Sequence, residues 1–439
     1  MSSSVSRRRF LQGLGVASVA PLAARTVFAQ DRKLRHASFG AAGMAWADIR
    51  GFSSHPAFEL VAVADTDLSR TENVRKQFPN AKIYQDWREL LRVEGPTLDT
   101  VNVSTPDHMH APIAMAAMSM NKHVYLQKPM ALTVRETRVL AQTARDRRLV
   151  TQMGIQTSSD PTQMKMEAMI RAGVIGKVRE VHTFCNKTWG DLAPVATVAD
   201  PVPETLDWDA WLGVGEKRPF VKDAYHPGNW RKRVGYGTGT LGDMGCHIFS
   251  PPMRALGLHI PTRITSFGAA GVHGNWPIQS RIQYVFRGTG LTAGETLDFW
   301  WYDGEEPVPE AVTSLVGGKV PPSGSVCIGT DGVLLLPHVG EPALFPADRF
   351  AGRTAPTVDT RNHWHEFLDA ALKGPGTTTS ASFDYAQLVT EVVLLGTIAS
   401  HYPGVSLDYD PPAMRFTSHR DANTWFTRRY RKPYLMTGM

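Results

Sequence analysis

Lys33-Leu34-Arg35-His36-Ala37-Ser38-Phe39-Gly40-Ala41-Ala42-Gly43-Met44-Ala45 is the stretch on which the fold turns. It reads as a strand from Lys33 to Phe39, a glycine-rich turn, and a helix running to about Phe52. A dinucleotide fingerprint at such a turn is G-x-G-x-x-G, which seats a pyrophosphate on the helix N-terminus. Here the pattern is Gly40-x-Ala42-x-x-Ala45 with an additional Gly43. Alanine at the third position is commonly tolerated. Alanine at the second is a departure, because that position lets the backbone approach the phosphates. The next apolar run, Phe58 to Ala64, ends at Asp65, where an acid can bind both ribose hydroxyls of NAD. Asp67 adds negative charge that would repel a 2′-phosphate. NAD is therefore the expected cofactor, with NADP possible, and Gly40, Ala42, Gly43, Met44 and Asp65 are its first expected contacts.

Outward from this turn the pattern repeats. Helical segments are expected at Leu68–Phe78, Trp87–Val93, Ala111–Met120 and Val134–Arg147. Strands are expected at Ala81–Tyr84, Thr100–Val103, His123–Leu126 and Leu149–Ile155. Strand–helix units joined by short turns predict a parallel sheet covered by helices on both faces. Ligands in such sheets bind outside the carboxyl ends of the strands, at the topological switch point.

Two later stretches carry a resemblance. Val103-Ser104-Thr105-Pro106-Asp107-His108-Met109-His110 and Gln127-Lys128-Pro129 resemble the T-P-x-x-x-H and E-K-P segments of the Gfo/Idh/MocA oxidoreductases. Those enzymes are similar to glucose–fructose oxidoreductase and inositol dehydrogenase. Gln127 stands where that family usually has Glu. Ile170 to Val178, Leu206 to Gly213, His226 to Arg231 and Gly237 to His247 continue the likeness. Asp243 and His247 match the family's acid and histidine one helical turn apart, a spacing that puts both on one face. Ser250 replaces an Asp often found three residues after that His. Phe383 to Ser400 and Met414 to Tyr434 resemble the C-terminal helix and arm.

The resemblance implies an α/β fold: an N-terminal Rossmann dinucleotide-binding domain (33–155) and a C-terminal α+β domain with a large, mainly antiparallel sheet (156–400). An arm over 401–439 follows. It implies further cofactor contacts at Ser104, Thr105, Pro106, His110, Gln127 and Lys128, a substrate site at Lys128, Arg231, Asp243 and His247, and a homo-oligomer. The implied reaction is hydride transfer from a sugar, polyol or sugar derivative. Histidine titrates near neutrality and suits the base. Asp243 would orient or charge-stabilise it, and Lys128 would stabilise charge on the reacting oxygen. Pocket specificity is expected from about 156–240 and 300–330. Two other readings stand beside this one. One is glycoside cleavage by transient oxidation. The other is a non-catalytic sugar-binding scaffold on a degenerate Rossmann frame, which Ala42 and Gln127 would suit.

Charge and composition bound the rest. The chain has 439 residues, 47 Lys and Arg against 41 Asp and Glu, and a formal charge of +6. Residues 1–29 hold Arg7, Arg8, Arg9 and Arg25 and no acid, which leaves 43 basic against 41 acidic groups beyond them. No basic stripe for nucleic acid remains. The leader has a basic start with Ser6-Arg7-Arg8-Arg9-Phe10-Leu11, a short apolar run and a small-residue end at Ala29. It reads as a twin-arginine signal peptide handled by that export machinery, which implies a periplasmic or otherwise exported protein. That route carries folded proteins, so a tightly bound, recycling cofactor is expected. Cys185, Cys246 and Cys327 form no CxxC pair and read as buried apolar residues. His363-Trp364-His365 has the wrong spacing for a metal pair on one helix face, so no metal is expected. Trp208, Trp211, Trp300 and Trp301 read as packing residues.

Overall fold

Phe39, Val61 to Val63, Val101, Val103 and Val124 to Leu126 are all buried, the continuous apolar signature of strands covered on both faces. In the computed structural model, which describes residues 32–432 and Tyr434, they form a six-stranded parallel sheet. The leader, residues 1–29, lies outside the described residues.

The strands are β1 (Leu34–Phe39), β2 (Phe58–Ala64), β3 (Lys82–Tyr84), β4 (Thr100–Val103), β5 (His123–Leu126) and β6 (Thr151–Met153). Their spatial order is β3-β2-β1-β4-β5-β6. This is the doubly wound order, with its switch point between β1 and β4. The covering helices are α1 (Met44–Ser53), α2 (Glu72–Gln77), α3 (Trp87–Glu94), α4 (His110–Ser119) and α5 (Val134–Asp146). A complete capping box starts α5: Thr133 accepts from Glu136 N and Glu136 accepts from Thr133 N.

The second sheet has nine strands in the order β13-β12-β11-β7-β10-β9-β8-β14-β15. They are β7 (Val178–Cys185), β8 (Arg263–Ser266), β9 (Ser280–Arg287), β10 (Thr296–Asp303), β11 (Ser323–Gly329), β12 (Val333–Pro337), β13 (Ala343–Phe345), β14 (Ser406–Asp410) and β15 (Arg415–Phe416). Every neighbouring pair is antiparallel except β7 and β10. The helices of this half are α6 (Pro161–Arg171), α7 (Trp208–Leu212), α8 (Gly239–Leu256), α9 (Glu310–Thr313), α10 (His363–Lys373) and α11 (Phe383–Ala399). Helix α8 packs between α6 and α11 and presents its N-terminal half to the first sheet's crevice.

Several connections tie the halves together. Trp364 of α10 lies on Gly51 of α1, where an added Cβ would sit 2.3 Å from the indole, so only glycine fits. The C-terminal arm returns to the first domain. There Arg428 donates to Glu136 at 2.7 Å and to the His108 carbonyl at 2.7 Å, and Tyr430 donates to Glu136 at 2.6 Å. Arg431 donates to Asp209 at 2.6 Å and to the Gly213 carbonyl at 2.7 Å.

Candidate active site

The carboxyl ends of β1 and β4 open into a cavity of about 540 Å³. Gly40, Ala42, Gly43, Met44, Asp65, Ser104, Thr105, Pro106, His110, Gln127, Lys128, Arg231, Asp243 and His247 all line it. Local physics explains its nucleotide end. Gly40 has φ +104°, and a Cβ there would lie 2.8 Å from the Ser104 carbonyl oxygen, so the turn requires glycine. Gly43 caps α1 with no side-chain hydrogen bond, which leaves the helix's first amides to a ligand. Asp65 accepts from the backbone N–H groups of Ala41 and Asp67, each at 3.0 Å. Burial raises its pKa, and those two bonds oppose the rise. A tight turn, an uncapped helix start and a fixed carboxylate at the end of β2 fit a dinucleotide.

Several side chains expected to face a ligand are turned onto the protein. Gln127 donates to both oxygens of Asp48, at 2.9 and 3.1 Å. Ser104 donates to Asp48 at 2.7 Å, and Trp364 donates to it at 2.9 Å. Burial pushes the Asp48 carboxyl up to about 6. His110 faces two carbonyls, Pro129 and Thr105, each at 2.8 Å, and so braces the loop that carries Lys128. Asp67 is also spent: it accepts from Ser69, from Thr205 at 3.0 Å and from His226 at 2.9 Å. Its carboxylate oxygens are occupied locally, so the case for NAD rests on Asp65, beside which Arg70 also lines the cavity. Ala42 lines the cavity without closing it.

The catalytic end is built on the first turns of α8. Asp243 Oδ1 accepts from Lys128 Nζ at 3.0 Å and from Arg231 Nε at 3.1 Å, and Oδ2 accepts from Trp189 Nε1 at 3.0 Å. Lys128 also donates to the Asp243 carbonyl at 2.6 Å. Burial alone would push this carboxyl up. The charges of Lys128 and Arg231 outweigh it and hold Asp243 far below the ordinary carboxylate range. The Arg231 guanidinium lies between two indoles, 4.2 Å from the Trp230 ring centre and 5.3 Å from that of Trp189.

His247 differs from the expectation in its support. Asp243 does not hydrogen-bond it; both carboxylate oxygens are occupied. Thr157 Oγ1 pairs with His247 Nδ1 at 3.3 Å. In the tautomer whose Nδ1–H donates to Thr157, Nε2 carries the lone pair; Nε2 has no partner among the described residues. Burial, then the neighbouring Lys128 and His338, lowers the His247 pKa well below its ordinary value, so the ring is neutral.

The specificity segments are also redrawn. Gln156, Lys187, Trp189, Trp211, His226 and Trp230 line the cavity, but no residue of 300–330 does. Trp300 and Tyr302 point to the other face of the second sheet, where Val312 and Val316 cover them. His338, just past β12, takes that place and faces His247 at 5.7 Å between ring centres. Ser250 points away and bonds Tyr385 at 2.9 Å. His363 and His365 have separate partners, Ser159 and Ser54. Thr157, Lys187, Trp189 and His338 carried no motif. Lys187 and Trp189 follow directly on β7, and that strand-end position is the one signal that could have found them.

Residues 34–155 match the model of an oxidoreductase family, NAD-binding Rossmann fold, and residues 169–261 match its C-terminal alpha/beta domain. Levoglucosan dehydrogenase of Pseudarthrobacter phenanthrenivorans is 25% identical over 229 residues, covering 50% of each chain. The NADP-dependent scyllo-inositol 2-dehydrogenase IolW of Bacillus subtilis is 24% identical over 45% of each chain. The inositol 2-dehydrogenase of Acidothermus cellulolyticus is 29% identical over 42% of this chain and 54% of its own. The chain thus spans about half the length of the curated relatives it matches. The fold is that of solved structures at low identity. A levoglucosan dehydrogenase complex with NADH and levoglucosan aligns with TM-score 0.59 and 15% identity, over 86% of this chain and 99% of that one. GenD2 from gentamicin A biosynthesis, in complex with NAD, aligns with TM-score 0.58 and 17% identity, over 87% and 97%.

Proposed function

The chain belongs, by residues 34–155 and 169–261, to the Gfo/Idh/MocA oxidoreductase family, and on that premise we propose that it oxidises a CH–OH group of a sugar, polyol or sugar derivative. The observation that carries this reading is the Lys128–Asp243–Arg231 cluster beside the unpartnered Nε2 of a neutral His247, in the switch-point crevice. Bound between Gly40 and Asp65, NAD would supply the hydride acceptor.

The side chains divide the remaining work. The Lys128 ammonium donates to the oxygen of the CH–OH group being oxidised and offsets the negative charge gathering on that oxygen. His247 takes the hydroxyl proton at Nε2, and Thr157 fixes the ring for that task. Asp243 is too acidic to serve as the base. It holds Lys128 and Arg231 in place through charge-assisted bonds. Trp189 and Trp230 shape the wall against which a sugar ring lies.

The leader adds to the proposal. Export by the twin-arginine route would carry the folded protein away from the cytoplasmic nucleotide pool, so the cofactor stays bound and is recycled within each cycle. The chain also forms a homo-oligomer through the outer face of the second sheet, where Phe267 is 43% exposed beside Trp300; sedimentation velocity at low concentration tests this. The decisive experiment denatures the purified protein and identifies released nucleotide by absorbance and mass. NAD(H), followed by reduction of the bound cofactor with a sugar or polyol, is expected. No nucleotide released, and none bound on addition, overturns the reading.

A further inference from the structure

The catalytic end of the cavity carries an excess of positive charge. Lys128, Lys187 and Arg231 line it against the Asp243 carboxylate. Asp107 lies beneath, 4% exposed, where it accepts from Thr238 at 2.7 Å. Burial raises its pKa toward the neutral form. Lys128 and Arg231 each spend a bond on Asp243. Lys187 does not. Among the described residues no carboxylate reaches it, and its Nζ rests 3.2 Å from the Met244 sulfur, a weak acceptor. Met244 is itself buried in the cavity wall, so this ammonium is turned along the wall. Its charge is felt at Asp243, His247 and His338.

Two further groups lack partners. Arg231 uses Nε on Asp243 and turns Nη1 to the Gly228 carbonyl at 3.4 Å, which leaves Nη2 without a bond among the described residues. Nδ1 of His338 is buried with no partner. A neutral sugar entering here would displace water from the exposed Lys187 cation without supplying a counter-charge, which costs free energy. A carboxylate would supply that charge and accept from a guanidinium edge in the same stroke.

We propose that the substrate is a carboxylated sugar of the uronate class, whose carboxylate is held by Lys187 and the Nη2 edge of Arg231. This rests on the reading of the chain as a sugar oxidoreductase and narrows its substrate. Affinity can be read apart from turnover, because Trp189 and Trp230 border the site and report binding by fluorescence. The nucleotide-loaded protein is titrated with glucuronate and galacturonate and with their neutral parents, glucose and galactose. The acids bind at least ~10-fold tighter at low salt, a margin of the size expected for bonds to charged groups. That margin shrinks as salt rises, and Lys187→Gln collapses it while circular dichroism stays unchanged. Equal affinity for acid and parent, no binding of the acids, or a margin intact in Lys187→Gln overturns the proposal. Tight acid binding without turnover of either acid overturns the uronate as substrate, and the hydride-transfer reading falls with it only when no sugar or polyol reduces the bound nucleotide. Turnover of neutral sugars with no preference for acids overturns the proposal and leaves the hydride-transfer reading standing.

Discussion

At the nucleotide end of the cavity most polar side chains are satisfied by the protein itself, with Thr105 and Arg70 the exceptions. At the catalytic end they are satisfied by one another or not at all. Ser104, Gln127 and Trp364 converge on Asp48, and Asp67 is surrounded by Ser69, Thr205 and His226. What that end leaves to a ligand is backbone amides, the remaining lone pairs of Asp65, the buried and unpartnered Thr105 hydroxyl, and the Arg70 guanidinium, which lines the cavity without a hydrogen bond among the described residues. The catalytic end offers Lys128, Lys187, Nη2 of Arg231 and Nε2 of His247. One end is a preorganised cradle for a constant group. The other keeps charge available for a variable one.

Separate substitutions should therefore damage separate ends. The largest effect is expected from Lys128→Ala, which should lower kcat/KM by roughly 10²–10³-fold, the loss typical of a donor to a developing oxyanion. Nucleotide affinity, read by calorimetry, should stay within a few-fold. A large loss of both would erase the division between the ends.

Asp48 tests the cradle through pH. Its folded pKa of about 6 stands above the ordinary 3.8. The folded protein keeps that proton while the unfolded chain has lost it, so the stability it contributes is full below pH 4 and is lost as pH rises to about 6. The span is about 3 kcal/mol. Asp48→Asn should flatten that part of the Tm-against-pH curve. An unchanged slope in the variant would show that Asp48 is not the group responsible.

Gly40→Ala works at the same end by sterics. Its Cβ would meet the Ser104 carbonyl at 2.8 Å from a backbone at φ +104°. A strain of roughly 1–3 kcal/mol should appear as weaker nucleotide binding. Substrate discrimination, measured at saturating nucleotide, should persist. The smallest effect is expected from Thr157→Val. Loss of one bond to His247 costs about 1 kcal/mol, or several-fold in kcat. It should also move the acid limb of the pH–rate profile, a shift that simple loosening of the fold would not give.

How much of this the sequence revealed follows the same division. The doubly wound sheet was legible because each strand and turn is local: Phe39 before Gly40, Ala64 before Asp65, Val103 before Thr105-Pro106. The residues around Lys128 and Asp243 were legible through short motifs. The partners that give those residues their function were not, because they lie far apart in the chain. Trp364 meets Asp48 across 316 positions, and Thr157 meets His247 across 90. Gln127 is the clearest case. As a lone letter it looked like a lost carboxylate. Beside Asp48, 79 positions away, it is the amide that lets a buried acid sit there, and a glutamate would set two carboxyls against each other. Of the two roles expected for Asp243 toward His247, its charge is felt there but the orienting bond is absent, for a related reason. A shared helix face says which side chains are neighbours, not which of them already has a better partner.

The arm over α5 gives the molecule an order of completion. Glu136 is synthesised 292 positions before Arg428, the guanidinium that neutralises it. Every strand of the first sheet can be made and paired while that buried carboxylate still lacks its ion. The nucleotide-binding half therefore reaches its final electrostatic state only when the far end of the chain has come back to it. A product cut short before Arg428 would keep all six parallel strands and still hold an unpaired buried charge beneath the loop of His108.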